Sequence, residues 1–264
     1  MTQTLLERFV PIQSPIHALD PRVKLLATAG FAIGNALLPD GAWLAFAAAW
    51  LCVLTVSSLA RLGAGFAARR AFIVLPFTLA AASVLFATPG HVVWHGALGR
   101  WPLVITGLGV ARFLSLVLRA WLGVQLAVLL AATTSFPDLI HALRHLRVPA
   151  VCASILAFMY RYLFVLAGEA TRLMTARSAR SAGLPGVKAG GGLAWRAQVA
   201  GGMGGQLVVR SLVRADRVYG AMVARGYQGE LLTMNPHELH RKDWLAGGLV
   251  LGVLGLIQAL GHLV

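Results

Sequence analysis

The residues best placed for directed chemistry in this chain are two arginines at helix ends. Ala179-Arg180-Ser181 precedes Gly183 and Pro185, and Ala224-Arg225-Gly226 precedes Tyr227. Alanine, arginine and then a small or helix-stopping residue describes a helix whose charge is carried past its last turn. A guanidinium offers five planar donors, so such a tip can grip a carboxylate or phosphate through two hydrogen bonds at once. That is recognition chemistry; it breaks no bond. The two tips fit either prongs that dock on something in the cytoplasm or basic helix ends near lipid headgroups. Ala-Arg-Ser also occurs three residues earlier, as Ala176-Arg177-Ser178, which gives the first end two candidate tips.

Groups that could catalyse a reaction are scattered. No HExxH, GxSxG, Walker A or paired cysteines occur, and no Lys-Ser/Thr follows the glycines of Gly183–Gly192. His91 and His95 share i,i+4 spacing but lie in a loop bounded by Pro and Gly, and His141 and His145 share it on a short helix but lack a third ligand type nearby. Cys52 and Cys152 stand alone. The sequence predicts no catalytic residue, metal site or bound cofactor in this chain.

The positioning elements are membrane helices. Of the 264 residues, 58% are hydrophobic and 12% charged, with a mean hydropathy of +0.75. A soluble domain of this size has no use for so much apolar surface. The net charge of +14 fits anionic lipid or an acidic protein partner, and the apolar spans argue against nucleic acid. Glu7 and Arg8 before Pro11, with no short apolar run and cleavage site, give no sign of a signal peptide.

Spans are expected at about Val23–Leu38, Ala42–Ala60, Phe72–Thr88, Leu103–Ala132 and Trp244–Leu260. Pro39-Asp40-Gly41 stops the first, Arg61, Arg69 and Arg70 mark a loop, and a loop with His91, His95 and Arg100 precedes the fourth. Basic residues crowd the N-terminus, the second loop and the region from Arg144 to Lys242. By the positive-inside rule these face the cytoplasm and the C-terminus ends outside. Arg112 and Arg119, seven apart on one face of the fourth span, either snorkel to the interface or form a polar seam facing a partner or cavity.

Beyond the fourth span, Ser135 caps a short amphipathic helix that Pro149 ends. Two long helices follow, about Ala150–Ala182 and Leu193–Arg225. Glu169 and Arg172 are spaced as an i,i+3 pair in the first. In the second, Arg210, Arg214, Arg217 and Arg225 fall within roughly an 80° arc. Gly201, Gly202, Gly204 and Gly205 would weaken a solitary helix by roughly 1 kcal/mol each. Their presence points to close helix crossing, with a second long helix or a partner, or else to a linker between two shorter helices.

Three stretches carry a family likeness. They are Ser14-Pro15-Ile16-His17-Ala18-Leu19-Asp20-Pro21-Arg22-Val23-Lys24-Leu25-Leu26, the Ala179-Arg180-Ser181 end, and the run Arg214-Ala215-Asp216-Arg217-Val218-Tyr219-Gly220-Ala221-Met222-Val223-Ala224-Arg225-Gly226-Tyr227. With these the chain resembles the transmembrane T component of energy-coupling factor (ECF) transporters, most of all the cobalt group (CbiQ type). The resemblance implies an L-shaped all-α membrane protein of about five transmembrane helices plus long cytoplasmic coupling helices. It implies N-terminal membrane helices over residues 1–134, coupling helices over 135–242 and a C-terminal transmembrane helix over 243–264. Ala179, Arg180, Ser181, Ala224, Arg225 and Gly226 would dock on two ABC-type ATPase subunits, which bind ATP and Mg. Arg214, Arg217, Gly201, Gly202, Gly204 and Gly205 would support the coupling helices. A separate membrane S component would hold the substrate, expected to be cobalt, with nickel or a vitamin as alternatives. A small accessory membrane subunit is a further possible partner. From another class, a membrane scaffold or an enzyme acting on anionic lipid would also use such arginines, the enzyme only with a nucleophile or metal that the sequence lacks.

Overall fold

A computed structural model of the chain describes residues 9–89, 91–98, 101–180, 192–229 and 239–263. Ser181 and residues 183–191 of the glycine-rich break lie outside the described residues. The chain divides into two compact units, one of Phe9–Ala142 with Pro236–Val264, the other of Met1–Arg8 with Leu143–Asn235.

The first unit, a helical bundle, opens with α1, Pro21–Leu37. Asp20 caps it by accepting the Arg22 N–H at 2.8 Å, and Pro21 fills a position where no donor is needed. After the Pro39-Asp40-Gly41 turn comes α2, Trp43–Leu59. Both lie close to the expected spans. With 17 residues each they cover about 25 Å, less than a hydrocarbon core of roughly 30 Å.

The third expected span differs in form. It is a run of α3, Ala64–Ala71, α4, Leu75–Ala80, and α5, Val84–Ala87, joined by 3-10 turns at Phe72–Val74 and Ala81–Ser83. The run therefore starts earlier than Phe72 and takes in Arg69 and Arg70, which the sequence reading put in a loop. It bends by 40° between Gly65–Val74 and Pro76–Phe86. Pro76 lacks the N–H that would carry the ladder through, which accounts for the break.

A second correction follows it. Residues read as a loop and the start of the fourth span form an antiparallel hairpin, β1, Val92–Leu98, and β2, Trp101–Thr106, with Leu98 opposite Trp101. His95 is thus on a strand, and its i,i+4 spacing from His91 has no helical meaning. The fourth span, α6, runs from Gly107 to Thr133 rather than from Leu103. Thr106 caps it, accepting the Gly109 N–H at 3.1 Å. A Cβ on residue 109 would lie 2.7 Å from the Leu85 carbonyl oxygen, so α5 and α6 can touch there only because that residue is glycine.

The short α7, Phe136–His145, begins as expected at Ser135, whose Oγ accepts the Asp138 N–H at 3.4 Å and donates to Asp138 Oδ2 at 2.6 Å. The long helices α8, Ala150–Arg180, and α9, Leu193–Ala224, belong to the second unit, and α10, Arg241–Leu263, returns to the first. Among the described residues α6, α8 and α10 are each long and apolar enough to cross a membrane, and the bent run, counted as one broken span, would be a fourth. This is an all-α, multi-pass membrane protein in which the hairpin is the one sheet among the described residues.

The bundle's core lies where α1, α2, α6 and α10 meet, at Phe31, Phe46, Val53, Leu122, Leu129 and Ile257. Polar ties close it at both ends of α1. Near the last turn, Arg119 Nη2 sits 2.9 Å from Asp40 Oδ1 and also donates to the Leu38 carbonyl, while Arg112 Nε stands 3.6 Å from Asp40 Oδ2. Asn35 Nδ2 donates to the Arg119 carbonyl at 3.0 Å, and the Gly41 N–H donates to Ser115 Oγ at 3.0 Å. The polar seam read from Arg112 and Arg119 thus faces the α1–α2 turn of the same chain.

At the first turn of α1, one carboxylate serves two helix starts. Asp243, in the first turn of α10, accepts the N–H of its own cap residue His240 at 2.9 Å through Oδ2. Through Oδ1 it accepts the N–H of Asp20, the cap of α1, at 2.9 Å. Lys24 Nζ donates to the carbonyls of His17 at 3.1 Å and Thr133 at 3.2 Å, so its charge sits on the free C-terminal end of α6. Asp20, Lys24 and Asp243 are all buried. Each N–H stripped of its acceptor in such a place would cost about 1–3 kcal/mol.

Candidate functional site

Apart from Ser181, which lies outside the described residues, the predicted site residues lie on or directly after the second unit's two long helices, which run antiparallel. Arg177 near the end of α8 stacks over the Trp195 ring at the start of α9, with 5.9 Å between guanidinium carbon and ring centroid. Midway, Arg214 Nη2 and Arg210 Nη1 reach Glu169 at 2.9 and 3.4 Å. At the far end, Val151 and Ile155 line the same groove as Tyr219 and Met222. The predicted Glu169–Arg172 pair is corrected by this geometry, since Glu169 turns across to α9 instead. A carboxylate facing two guanidiniums on a neighbouring helix gains more than one with a single partner on its own helix surface.

Because the helices are antiparallel, their C-terminal tips point opposite ways. Arg180 ends α8 and Arg225 follows the last residue of α9; both are exposed, as are Ala179, Ala224 and Gly226. By helix rise alone, the two tips stand on the order of 45 Å apart. The α9 tip is a fixed structure. Tyr227 N–H donates to the Met222 carbonyl and Gly226 N–H to the Val223 carbonyl, both at 3.0 Å, with Gly226 at φ +83°. This is a Schellman closure, and Arg225 is its cap residue. Of the two Ala-Arg-Ser copies, the earlier has Arg177 against Trp195 and the Ser178 hydroxyl on the Thr175 carbonyl at 2.8 Å. Arg180 is left as the arginine at the terminus.

Between the helices run two apolar grooves. One of about 430 Å³ is lined by Val151, Ile155, Phe158, Val218, Tyr219 and Met222; a second of about 410 Å³ by Met159, Tyr162, Leu166, Leu212 and Ala215. α9 buries no residue along its 32, and α8 buries only Ala153 and Ser154. Arg217 lies exposed on α9, and Arg214 is partly covered by its tie to Glu169.

The glycines behave otherwise than one expectation held. α9 is continuous through Gly201, Gly202, Gly204 and Gly205, so they are not a linker between two helices. Nor do α8 and α9 approach closely there, since a Cβ on any of the four meets nothing within 4 Å among the described residues. They form an open, side-chain-free face. Among the described residues no group of three His, Cys, Asp or Glu stands together as a metal site.

The stop read after Arg180 lies outside the described residues. Sequence reasoning found the α9 tip because a helix stop is local. It missed Trp195 and the cross-helix role of Glu169, and it did not foresee Asp243 joining Asp20. A lone tryptophan at a basic helix start was the available signal for the first. Asp three residues after a cap position was the signal for the last.

Fold and site together define a multi-pass membrane protein that carries a pair of long, sparsely covered helices with basic tips. The family profile described as CbiQ, cobalt transport protein, matches residues 13–235, and the chain belongs to that family. An energy-coupling factor transporter transmembrane protein EcfT of Lacticaseibacillus paracasei is 31% identical over 98% of this chain and 99% of its own length. Cobalt transport protein CbiQ of Rhodobacter capsulatus is 33% identical over 66% of each chain. An EcfT protein of Acidaminococcus fermentans is 28% identical over 98% of this chain and 97% of its own.

Proposed function

We propose that this chain is the transmembrane coupling subunit of an ECF-type ABC importer. It receives movement from two cytoplasmic ATPase subunits and passes it to a membrane S component that holds the substrate. The observation that carries this reading is the antiparallel placement of Arg180 and Arg225. Two exposed guanidiniums on the order of 45 Å apart suit one acidic socket on each of two ATPase subunits better than a single binding site. Each partly buried, charge-assisted contact would contribute about 1.5–3 kcal/mol. The chain itself binds no nucleotide and catalyses no step; ATP and Mg belong to the ATPases. The apolar grooves between α8 and α9 and the open glycine face of α9 are the surfaces we assign to the S component.

The N-terminus and both long helices are assigned to the cytoplasmic side of a cell-membrane complex. α8 is apolar enough to span, but it packs along α9, which carries Arg196, Arg210, Arg214 and Arg217, and basic residues run from Arg144 to Lys242. Cobalt ion is the proposed substrate, supported by the family description and by the Rhodobacter relative's name. A vitamin in place of cobalt is the second reading, supported by the match to energy-coupling factor transmembrane proteins over 97–99% of their own length. Reconstitution of this chain with its ATPase and S subunits in proteoliposomes tests both. ATP-dependent Co²⁺ uptake is expected; ATP-driven uptake of a vitamin but not Co²⁺ would select the second reading, and failure to bind any ATPase would end both.

A further inference from the structure

The bundle unit meets the rest of the chain at three places, Phe9, Ala142 and Pro236. One polar cavity of about 240 Å³ gathers the residues beside all three. Phe9 lines it, Asp138 lines it four residues before the second junction, and His240 lines it four residues after the third. Its remaining wall includes Asp20, Lys24 and Asp243. These are the residues whose hydrogen bonds join the starts of α1 and α10 and the end of α6. Each covalent junction between the bundle and the rest of the chain therefore lies within four residues of a side chain that lines the cavity holding this buried cluster.

We infer that Asp20, Lys24 and Asp243 form the anchor that makes α1, α6 and α10 respond as one body to the long helices. The inference rests on the coupling role proposed above. The physical reason is slack. If the three helix ends were joined only by apolar contact, a pull along one strand of chain would slide one helix past its neighbours. The Asp243 carboxylate prevents this for α1 and α10, because both of its oxygens hold cap amides in fixed directions. Lys24 does the same for α1 and α6, whose last residue is followed within two positions by the cap of α7. Asp243 and Lys24 each bond two separate elements, and Asp20 joins them through its backbone N–H while its Oδ1 caps α1, so none of the three helix ends can slide without stretching a bond to another. These are positioning residues; none need touch the transported substrate.

The test uses the complete complex in proteoliposomes, quantified as assembled complex, with ATP hydrolysis and Co²⁺ uptake measured together. For Asp243→Ala and Lys24→Met we expect ATPase subunits bound as in wild type and hydrolysis within twofold. Uptake per ATP should fall on the order of tenfold. Lys24→Arg should recover most of it. A purely structural role would lower both rates in step with the amount of complex, and an unchanged uptake-to-hydrolysis ratio overturns the inference. If Asp243→Ala does not assemble, Asp243→Asn, which keeps one acceptor, should show the same drop in smaller measure.

A second measurement needs no substrate. Spin labels at Leu26→Cys on α1 and Leu249→Cys on α10, both exposed, in a background without Cys52 and Cys152, should report one narrow distance unaffected by ATP. In Asp243→Asn that distance should broaden only when ATP is added. Broadening in the unaltered complex on ATP addition would show that the anchor opens during the cycle, contrary to the proposal. Wild-type complex without Co²⁺ uptake would refute the cobalt reading and leave the label measurement to judge the anchor.

Discussion

In the bundle unit, α2 has 17 residues and buries Ala45, Phe46, Ala49, Val53 and Ser57. In the other unit, α9 has 32 residues and buries none. The bundle also spends its polar side chains on ties within itself, to Asp40, Ser115 and the carbonyls at helix ends. Among the described residues the long helices are tied by Glu169 with Arg210 and Arg214 and by Arg177 over Trp195, and they leave Arg180, Arg217 and Arg225 outward. A helix that buries nothing within its own chain draws its cover from elsewhere, from lipid or from other subunits. The contrast assigns stability to one unit and partnership to the other, and substitutions can be sorted by which of the two they damage.

The largest effect should come at the tips. Arg180→Glu and Arg225→Glu should each weaken ATPase capture about 10- to 100-fold, the equivalent of one charge-assisted contact, and the double change should abolish it. Wild-type pull-down of ATPase by the double variant would remove the basis for calling these helices docking arms. Lysine at both positions should rescue only in part, lacking the planar fork.

Next comes the stiffness of the arm. Gly-Gly inserted after Leu166 rotates every later side chain of α8 by about 200° and parts Glu169 from its α9 partners. ATP hydrolysis should persist in proteoliposomes while uptake is lost; full uptake would make the helices tethers.

On the bundle side the expected cost is in stability. Arg119→Met leaves Asp40 with only the more distant Arg112, and should destabilise by about 2 kcal/mol, the partial exposure of both partners keeping it below a fully buried pair. Thermal unfolding in detergent should fall by a few degrees, with ATPase capture unchanged. Gly202→Leu or Gly205→Leu should do the reverse. A Cβ there meets nothing in this chain, so unfolding temperature should hold while S-component assembly drops several-fold; normal assembly would mean that this face is idle. The smallest effect is expected from Glu169→Gln, with unfolding temperature and ATPase capture both near wild type, because both its arginine partners are partly in solvent.

Helix ends were legible because their signals are local. Asp20-Pro21 at the start of α1, Pro39 after it, Ser135 before α7 and Gly226 after α9 each act on the backbone within a few residues. The hairpin was legible in principle, since Val92–Leu98 and Trp101–Thr106 are rich in β-branched and aromatic residues. Their apolar content was read instead as the approach to a span. The ties that set the architecture were not legible. Asp40 to Arg119, Glu169 to Arg214 and Asp20 to Asp243 join residues far apart in sequence, and a single sequence records no such pairing. Nor could composition tell that the α9 glycines would lie open rather than crossed, because a small residue admits a neighbour without requiring one.

The bond from the Asp20 amide to Asp243 spans 223 positions, and it has a consequence for how the protein is made. α1 leaves the ribosome long before α10 does. Until α10 has been delivered to the membrane, the cap amide of α1 lacks the Asp243 carboxylate that receives it. The helices before α10 can enter the bilayer one by one, yet the bundle closes only when α10 arrives. A nascent chain halted before Asp243 would therefore hold an unfinished bundle, with α1 still waiting to be joined to α10.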